Sequence, residues 1–152
     1  QNVDRHTRDL VTLTATASIT TADHAGRTLL MGEVGGDAAA TFTLPAATGT
    51  GSVFKFVVSV VNTSNYLIKV ADATDTIDGQ IVITDADGTD AASMVTAAAS
   101  DTITLNGTTT GGGAIGDYVE LIDIASNQYA VSGMVTCAAG SNIATMFSAT
   151  VS

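Results

Sequence analysis

The densest group of side chains with binding chemistry is a set of carboxylates around one glycine. Asp85, Asp87 and Asp90 stand in a short segment that also contains Gly88. Carboxylate oxygens are hard ligands of the kind that Ca²⁺ takes in proteins. The spacing departs from that of an EF-hand loop, because the glycine comes two residues early and Thr96 occupies position 12, where that loop has a glutamate. Two interpretations stay open, a structural calcium site or a solubilising acidic turn.

Residues suited to covalent or acid–base catalysis are scarce. His6 and His24 are the two histidines, and both stand in the polar start of the chain. Cys137 is the single cysteine, which excludes an internal disulfide, and we expect it to be a small buried hydrophobe. Aromatic residues make up 5% of the chain and Trp is absent, so platforms for stacking sugars are nearly missing. We expect no enzymatic activity and, apart from the calcium alternative, no cofactor.

The run Gly111-Gly112-Gly113 is the other motif that bears on chemistry. A phosphate-binding loop would end in Gly-Lys-Ser/Thr and lead into a helix, and neither feature follows here. We therefore predict a mobile loop in this segment rather than a phosphate site.

Composition narrows the range of partners. The 152 residues include 5 Lys and Arg against 15 Asp and Glu, a net charge of −10 that repels phosphate and argues against nucleic acid. The longest apolar stretch, residues 56–61, is interrupted at Ser59 and falls far short of the roughly 20 residues of a membrane span. Hydrophobic residues reach 45%, which is enough for a core. One folded domain is expected, with neither a nucleic-acid nor a membrane partner.

Alternation of apolar and polar residues predicts strands along most of the chain. From Leu10 to Thr20, apolar residues alternate with Thr and Ser, which predicts one half-buried strand. Residues 53–61 show the strongest strand pattern, and residues 66–70 are the expected hairpin partner. A second hairpin is expected between residues 117–124 and residues 128–134.

The remaining segments complete an all-β pattern. Residues 80–84 and 143–151 are predicted strands, and the Ala-rich residues 91–100 form either one helical turn or a strand. About nine or ten short strands result, and no internal repeat of fixed period is visible. We predict an all-β fold, a single compact β-sandwich or barrel-like domain over residues 10–152, preceded by an N-terminal arm over residues 1–9.

The order of several segments resembles that of small proteins encoded among phage head genes. The similarity covers most of the chain from about Gly26 onward, and its motifs are turns and strands rather than catalytic signatures. The segments that carry it include Gly26-Arg27-Thr28-Leu29, Thr43-Leu44-Pro45-Ala46-Ala47, Phe54-Lys55-Phe56-Val57-Val58, Thr63-Ser64-Asn65-Tyr66, Ser100-Asp101-Thr102-Ile103, Gly116-Asp117-Tyr118-Val119 and Phe147-Ser148-Ala149.

In these segments the chain is similar to the head decoration, or cement, proteins of tailed phages. The resemblance implies a virion protein on the outer capsid surface whose partner is the major capsid protein. It also implies self-association, commonly as homotrimers at local threefold positions of the capsid lattice. Such a protein binds between capsid subunits and stabilises the shell without enzymatic chemistry.

The distribution of charge indicates where a decoration protein with this sequence would dock. Three of the five basic residues lie within the first 27, so the start of the chain is positive relative to an acidic remainder. We predict that Arg5, His6 and Arg8 of the arm, together with Leu10 and Leu13 of the first strand, contact the capsid.

A second class of function stays open at this stage. A tail-fibre, surface-layer or adhesin-type module that binds a receptor or glycan could share the all-β pattern. Adhesins usually present exposed aromatic side chains in a groove, whereas a decoration protein needs a broad contact surface with few charges to desolvate.

Overall fold

The computed structural model describes residues 9–32 and 39–151. This part of the chain contains twelve strands and one helix, the four-residue α1 at Thr21–His24. The strands are β1 Leu10–Leu13, β2 Ala17–Ser18, β3 Thr28–Met31, β4 Ala40–Thr43, β5 Val53–Val58, β6 Tyr66–Lys69, β7 Thr76–Asp85, β8 Ala91–Val95, β9 Thr102–Leu105, β10 Tyr118–Ala125, β11 Gln128–Cys137 and β12 Phe147–Ser148.

Two mixed sheets pack against each other to form a sandwich. The seven-stranded sheet has the order β1-β3-β5-β10-β11-β7-β8, and the five-stranded sheet has the order β12-β9-β6-β4-β2. The prediction of an all-β, sandwich-like fold is therefore confirmed. No helix within the described ranges has the length and apolar character needed to cross a membrane.

The first six strands alternate between the two sheets, and the neighbours they form within each sheet are parallel. In the seven-stranded sheet Leu10 pairs with Thr28, and Thr28 pairs with Lys55. The two steps span 18 and 27 residues, which explains why no repeat of fixed period is visible in the sequence. The connecting loops differ in length, so the winding is regular in space and irregular along the chain.

Aromatic rings join the two sheets at the centre of the core. Phe42 of the smaller sheet stacks on Phe56 of the larger, with ring centroids 5.8 Å apart, and on Tyr66 at 5.9 Å. Tyr129 is fully buried, and its hydroxyl donates to the carbonyl of Pro45 at 2.6 Å, so its polar atom is satisfied. These contacts hold the sheets face to face.

Two predictions about strand pairing are wrong. The segment Leu10–Thr20 is not one strand, because it breaks after Leu13 and re-forms as β2 in the opposite sheet. Likewise β5 and β6 do not form a hairpin, since they lie in different sheets. In both cases the two strands lie in opposite sheets, and each turns an apolar face toward the core between them. Alternation of apolar and polar residues alone cannot distinguish this arrangement from pairing within one sheet.

The hairpin between β10 and β11 is confirmed. Ala125 pairs with Gln128 across a two-residue turn, and Asn127 in that turn has a φ of 63°. Asn tolerates this left-handed backbone better than most residues, which makes it a favourable turn residue. The structure lengthens the predicted strand at residues 80–84 to Thr76–Asp85 and shortens the last predicted strand to Phe147–Ser148. It also gives the Ala-rich segment a strand, β8.

The glycine-rich segment is packed into the molecule, contrary to the prediction of a mobile loop. Gly111 and Gly112 are buried and have φ of +83° and +78°. A Cβ on Gly111 would lie 2.5 Å from Cγ2 of Val135, and one on Gly112 would lie 2.7 Å from Cβ of Leu105. Glycine is therefore required here for close approach to the core, and the run has a structural reason that needs no ligand.

Candidate interaction surface

The acidic turn links β7 to β8, and its carboxylates differ in exposure. Asp85 is buried and accepts hydrogen bonds from the backbone N–H groups of Asp87 and Gly140, both at 3.0 Å. Asp87 is exposed and accepts from the backbone N–H and the hydroxyl of Thr89, and these bonds lower the pKa of its carboxyl. Asp90 is exposed as well. Within the described ranges no three His, Cys, Asp or Glu side chains are grouped to hold a metal ion, and the calcium site stays a prediction.

The predicted docking residues fall into three groups. Arg5, His6 and Arg8 lie outside the described residues. Leu10 is 66% exposed at the edge of the seven-stranded sheet, where a partner can reach it. Leu13 is only 5% exposed and packs in the core, so it stabilises the fold and its side chain is not available for docking.

Two other residues that we considered for catalysis have structural roles. Cys137 is buried at the end of β11, as predicted, and burial raises the pKa of its thiol. His24 ends the short helix, where its Nδ1 accepts from the backbone N–H of Thr20 at 2.9 Å. The ring Nδ1 also lies 3.3 Å from the Thr20 hydroxyl, so His24 and Thr20 together stabilise the start of this helix.

The outer face of the seven-stranded sheet carries a line of apolar side chains that we call the apolar row. Strand register places its members side by side on five successive strands, from β3 through β5, β10 and β11 to β7. Met134 is 53% exposed and Val82 is 36% exposed, and the other three members are half-buried. The members in order across the sheet are Leu30, Val57, Tyr118, Met134 and Val82.

The next line on the same face is polar, and we call it the polar row. Its members in order across the sheet are Thr28, Lys55, Glu120, Ser132 and Gln80. Lys55 and Glu120 are direct neighbours on adjacent strands. The Nζ of Lys55 lies 4.8 Å from the ring centroid of Tyr118, which ties the polar row to the apolar row through a cation–π contact.

A shallow depression of about 390 Å³ lies at the β3 side of the polar row. Its lining consists of Arg27, Thr28, Val53, Lys55 and Glu120. Arg27 also approaches Asp9, with 4.0 Å between Nη2 and Oδ2, and both side chains are solvent-exposed. An exposed pair of this kind adds little to stability. The cations of the depression thus have acidic neighbours of their own, so it offers no concentrated positive charge to an anion.

Buried carboxylates hold the loops that frame this face. Asp117, next to Tyr118, accepts from the backbone N–H groups of Thr136 at 2.8 Å and Ala114 at 3.2 Å. Burial raises the pKa of Asp117, and these hydrogen bonds only partly offset that effect. The apolar row is consequently presented by a rigid sheet whose connecting loops are anchored.

The sequence analysis did not identify the apolar row, although the side chain of each member points outward between two chain neighbours whose side chains point inward. Val82 and Met134 are 52 residues apart in the chain and become adjacent only because β7 and β11 pair in parallel. That pairing cannot be read from alternation, which reports faces and not neighbours. Comparisons with protein-family models, curated proteins and solved structures find no match to this chain.

Proposed function

We propose that this chain is a non-enzymatic structural protein of a phage virion that decorates the outer surface of the capsid. In this function it binds between subunits of the major capsid protein as a homotrimer and stabilises the shell. The proposal draws on the resemblance of its segments to head decoration proteins. One structural observation carries it furthest, the apolar row on an open face of a rigid seven-stranded sheet.

Physical chemistry favours this kind of surface for extended protein contact. Apolar atoms removed from water contribute roughly 25 cal/mol per Å², and few charges near the row need to be desolvated. A linked trimer engages several capsid sites at once, so contacts that are weak individually produce strong overall binding. Decoration requires no pocket chemistry.

The test compares two aspartate substitutions on the same strand and the same face. Undecorated heads of the parent phage are incubated with wild-type protein, with Met134→Asp and with Ser132→Asp, and bound protein is measured after sedimentation. Met134→Asp places a charge in the apolar row, and we expect it to weaken binding at least about tenfold, because burying an unpaired carboxylate is unfavourable. Ser132→Asp lies in the exposed polar row beside Glu120 and is the control for added charge on this face, and we expect it to weaken binding much less than Met134→Asp.

Equal binding of Met134→Asp and wild-type protein would exclude the apolar row as the docking face. A wild-type protein that does not bind heads at all, and instead binds cell-surface glycans, would favour the adhesin-type module. The mass in solution adds an independent check, because a homotrimer has three times the 15.2 kDa of one chain.

A further inference from the structure

One edge strand of the seven-stranded sheet has no charged side chain. Strand β8, Ala91-Ala92-Ser93-Met94-Val95, is the last strand in the sheet order and pairs only with β7 among the described strands. It contains no Pro and no charged residue. Natural sheets usually protect such an edge with Lys, Pro or a bulge, because its free backbone groups can pair with another strand.

Register fixes which backbone groups of β8 face outward. Asp85 and Asp90 form a hydrogen-bonded pair at one end, with 2.8 Å from N to O, and the N–H of Thr96 donates to Gly79 at 3.0 Å at the other. Hydrogen-bonded pairs alternate with non-hydrogen-bonded pairs in antiparallel strands. The N–H and C=O groups that point away from β7 are therefore those of Ala91, Ser93 and Val95.

These outward groups are accessible. The residues that carry them are all exposed, Val95 by 67%, whereas Ala92 and Met94 pack against the core from the other face. No described strand lies beyond β8. An added strand could therefore pair along β8 without disturbing its contacts to β7 or to the core.

We propose that β8 pairs with β8 of a second copy of this chain, in antiparallel orientation about a twofold axis at Ser93. The symmetry places Ser93 opposite the Ser93 of the second copy and Ala91 opposite its Val95. This gives three hydrogen-bonded pairs, each of which exchanges two backbone bonds. The contact is isologous, so between two single chains it closes on itself and gives a dimer rather than a filament.

Charge and surface continuity favour a second copy as the occupant. In the antiparallel register Asp90 faces Thr96 of the second copy, so the two Asp90 carboxylates do not oppose each other. A parallel pairing in register would place them side by side, which is unfavourable. Ser93 pairs with Val82 on β7, so the twofold axis also brings the two apolar rows into line across one continuous sheet.

The contact goes beyond the proposed function, since it holds in solution whether or not the chain decorates a capsid. Its test is sedimentation equilibrium over a wide concentration range, with wild-type protein, Ser93→Lys, Ser93→Asp and the control Ser132→Lys. We expect the wild-type mass to rise reversibly with concentration: a monomer doubles its mass and stops at the dimer, whereas a homotrimer carries three β8 edges and associates beyond a doubling. Either Ser93 variant alone should weaken this step about fivefold, because like charges then face each other on the twofold axis.

Mixing Ser93→Lys with Ser93→Asp should restore the doubling, because the introduced lysine then faces the introduced aspartate. Restoration also shows that both variants are folded. Ser132→Lys adds the same charge to the same sheet away from the edge and should behave as wild type. A wild-type mass that does not double up to about 200 µM, or a doubling that the Ser93 variants leave unchanged, would overturn the contact. Neither result would bear on binding to heads through Met134.

Discussion

At the scale of single residues, the acidic side chains have two distinct uses. Some are exposed to solvent, such as Asp87 and Asp90 of the acidic turn. Among the described residues five aspartates are buried instead, and each accepts at least one hydrogen bond from a backbone N–H group in a loop. Nothing in the sequence separates these five from the other acidic residues, because burial depends on which loop folds over each one. They are Asp75, Asp85, Asp101, Asp117 and Asp123.

Asp123 offers the sharpest test of this role. Its carboxylate accepts from the backbone N–H groups of Thr48, Gly49 and Thr50, at 2.6 Å in the case of Gly49. Asp123→Asn leaves one of its two oxygens and turns an NH₂ group toward these donors. We expect it to lower the free energy of unfolding by about 2–3 kcal/mol, measured by urea denaturation. Asp90→Asn, at an exposed site, should change it by less than about 0.5 kcal/mol.

The same carboxylate should make the fold sensitive to acid. Burial disfavours the ionised form of Asp123, but hydrogen bonds from Gly49, Thr48 and Thr50 outweigh burial and lower its pKa. Its contribution to stability is therefore present above the unfolded pKa of about 3.9 and is lost as pH falls through the lower folded pKa. Burial raises the pKa of Asp75 and Asp117, whose contributions have the opposite sign and are lost as pH rises through the folded pKa.

The part of the pH dependence of stability that comes from Asp123 can be isolated by comparing the wild-type protein with a variant. Melting temperatures of wild-type protein and Asp123→Asn are measured between pH 6 and pH 2. We expect the gap between the two to be widest near neutral pH and to narrow below about pH 4. A gap that stays constant over this range would show that the Asp123 carboxylate is not the group that titrates.

Removal of divalent cations tests the acidic turn. The oxygens of Asp85 and Asp87 already accept hydrogen bonds within the turn and from Gly140, so the turn is held without a metal ion. We expect EDTA to shift the melting temperature by less than about 1 °C. A drop of several degrees that Ca²⁺ reverses would establish the calcium site instead.

At the scale of elements, alternation predicts strands well and their neighbours poorly. The strand within residues 53–61 and the hairpin of β10 and β11 are evident in the sequence, because each depends on local pattern and turn chemistry. The separation of β5 from β6 depends on the way a whole chain covers one core from two sides. The same limit hid the apolar row, whose members lie on five strands from distant parts of the chain.

The packed glycine segment yields a matched pair of substitutions. Gly111 and Gly140 both have positive φ, of 83° and 69°, so alanine strains the backbone by about 1–2 kcal/mol at either site. Only Gly111 lacks space, since its Cβ would meet Val135, whereas nothing lies within 4 Å of a Cβ at Gly140. We expect Gly111→Ala to cost about 1–3 kcal/mol more in unfolding free energy than Gly140→Ala. Equal costs in urea denaturation would indicate that this loop is not packed as described.

At the scale of the whole molecule, the larger sheet has two surfaces proposed to bind partners, and they face in different directions. The apolar row lies on its outer face, and the uncharged edge lies along β8. If the chain binds a capsid through the apolar row, as we propose, the β8 edge stays free for a second copy. On a lattice with local threefold and twofold positions, trimers seated at the former could therefore be joined across the latter, so that the decorating layer strengthens itself as well as the shell.

The position of β10 and β11 between β5 and β7 also affects how the protein is made. The larger sheet can join its two halves only after residue 137 has been synthesised, because these two strands form its centre. Pairings this distant in the chain must close long loops first, and they make folding slow. Most of this chain would thus emerge from the ribosome before its sheets can assemble. Unpaired strands would then be exposed during rapid synthesis and could aggregate.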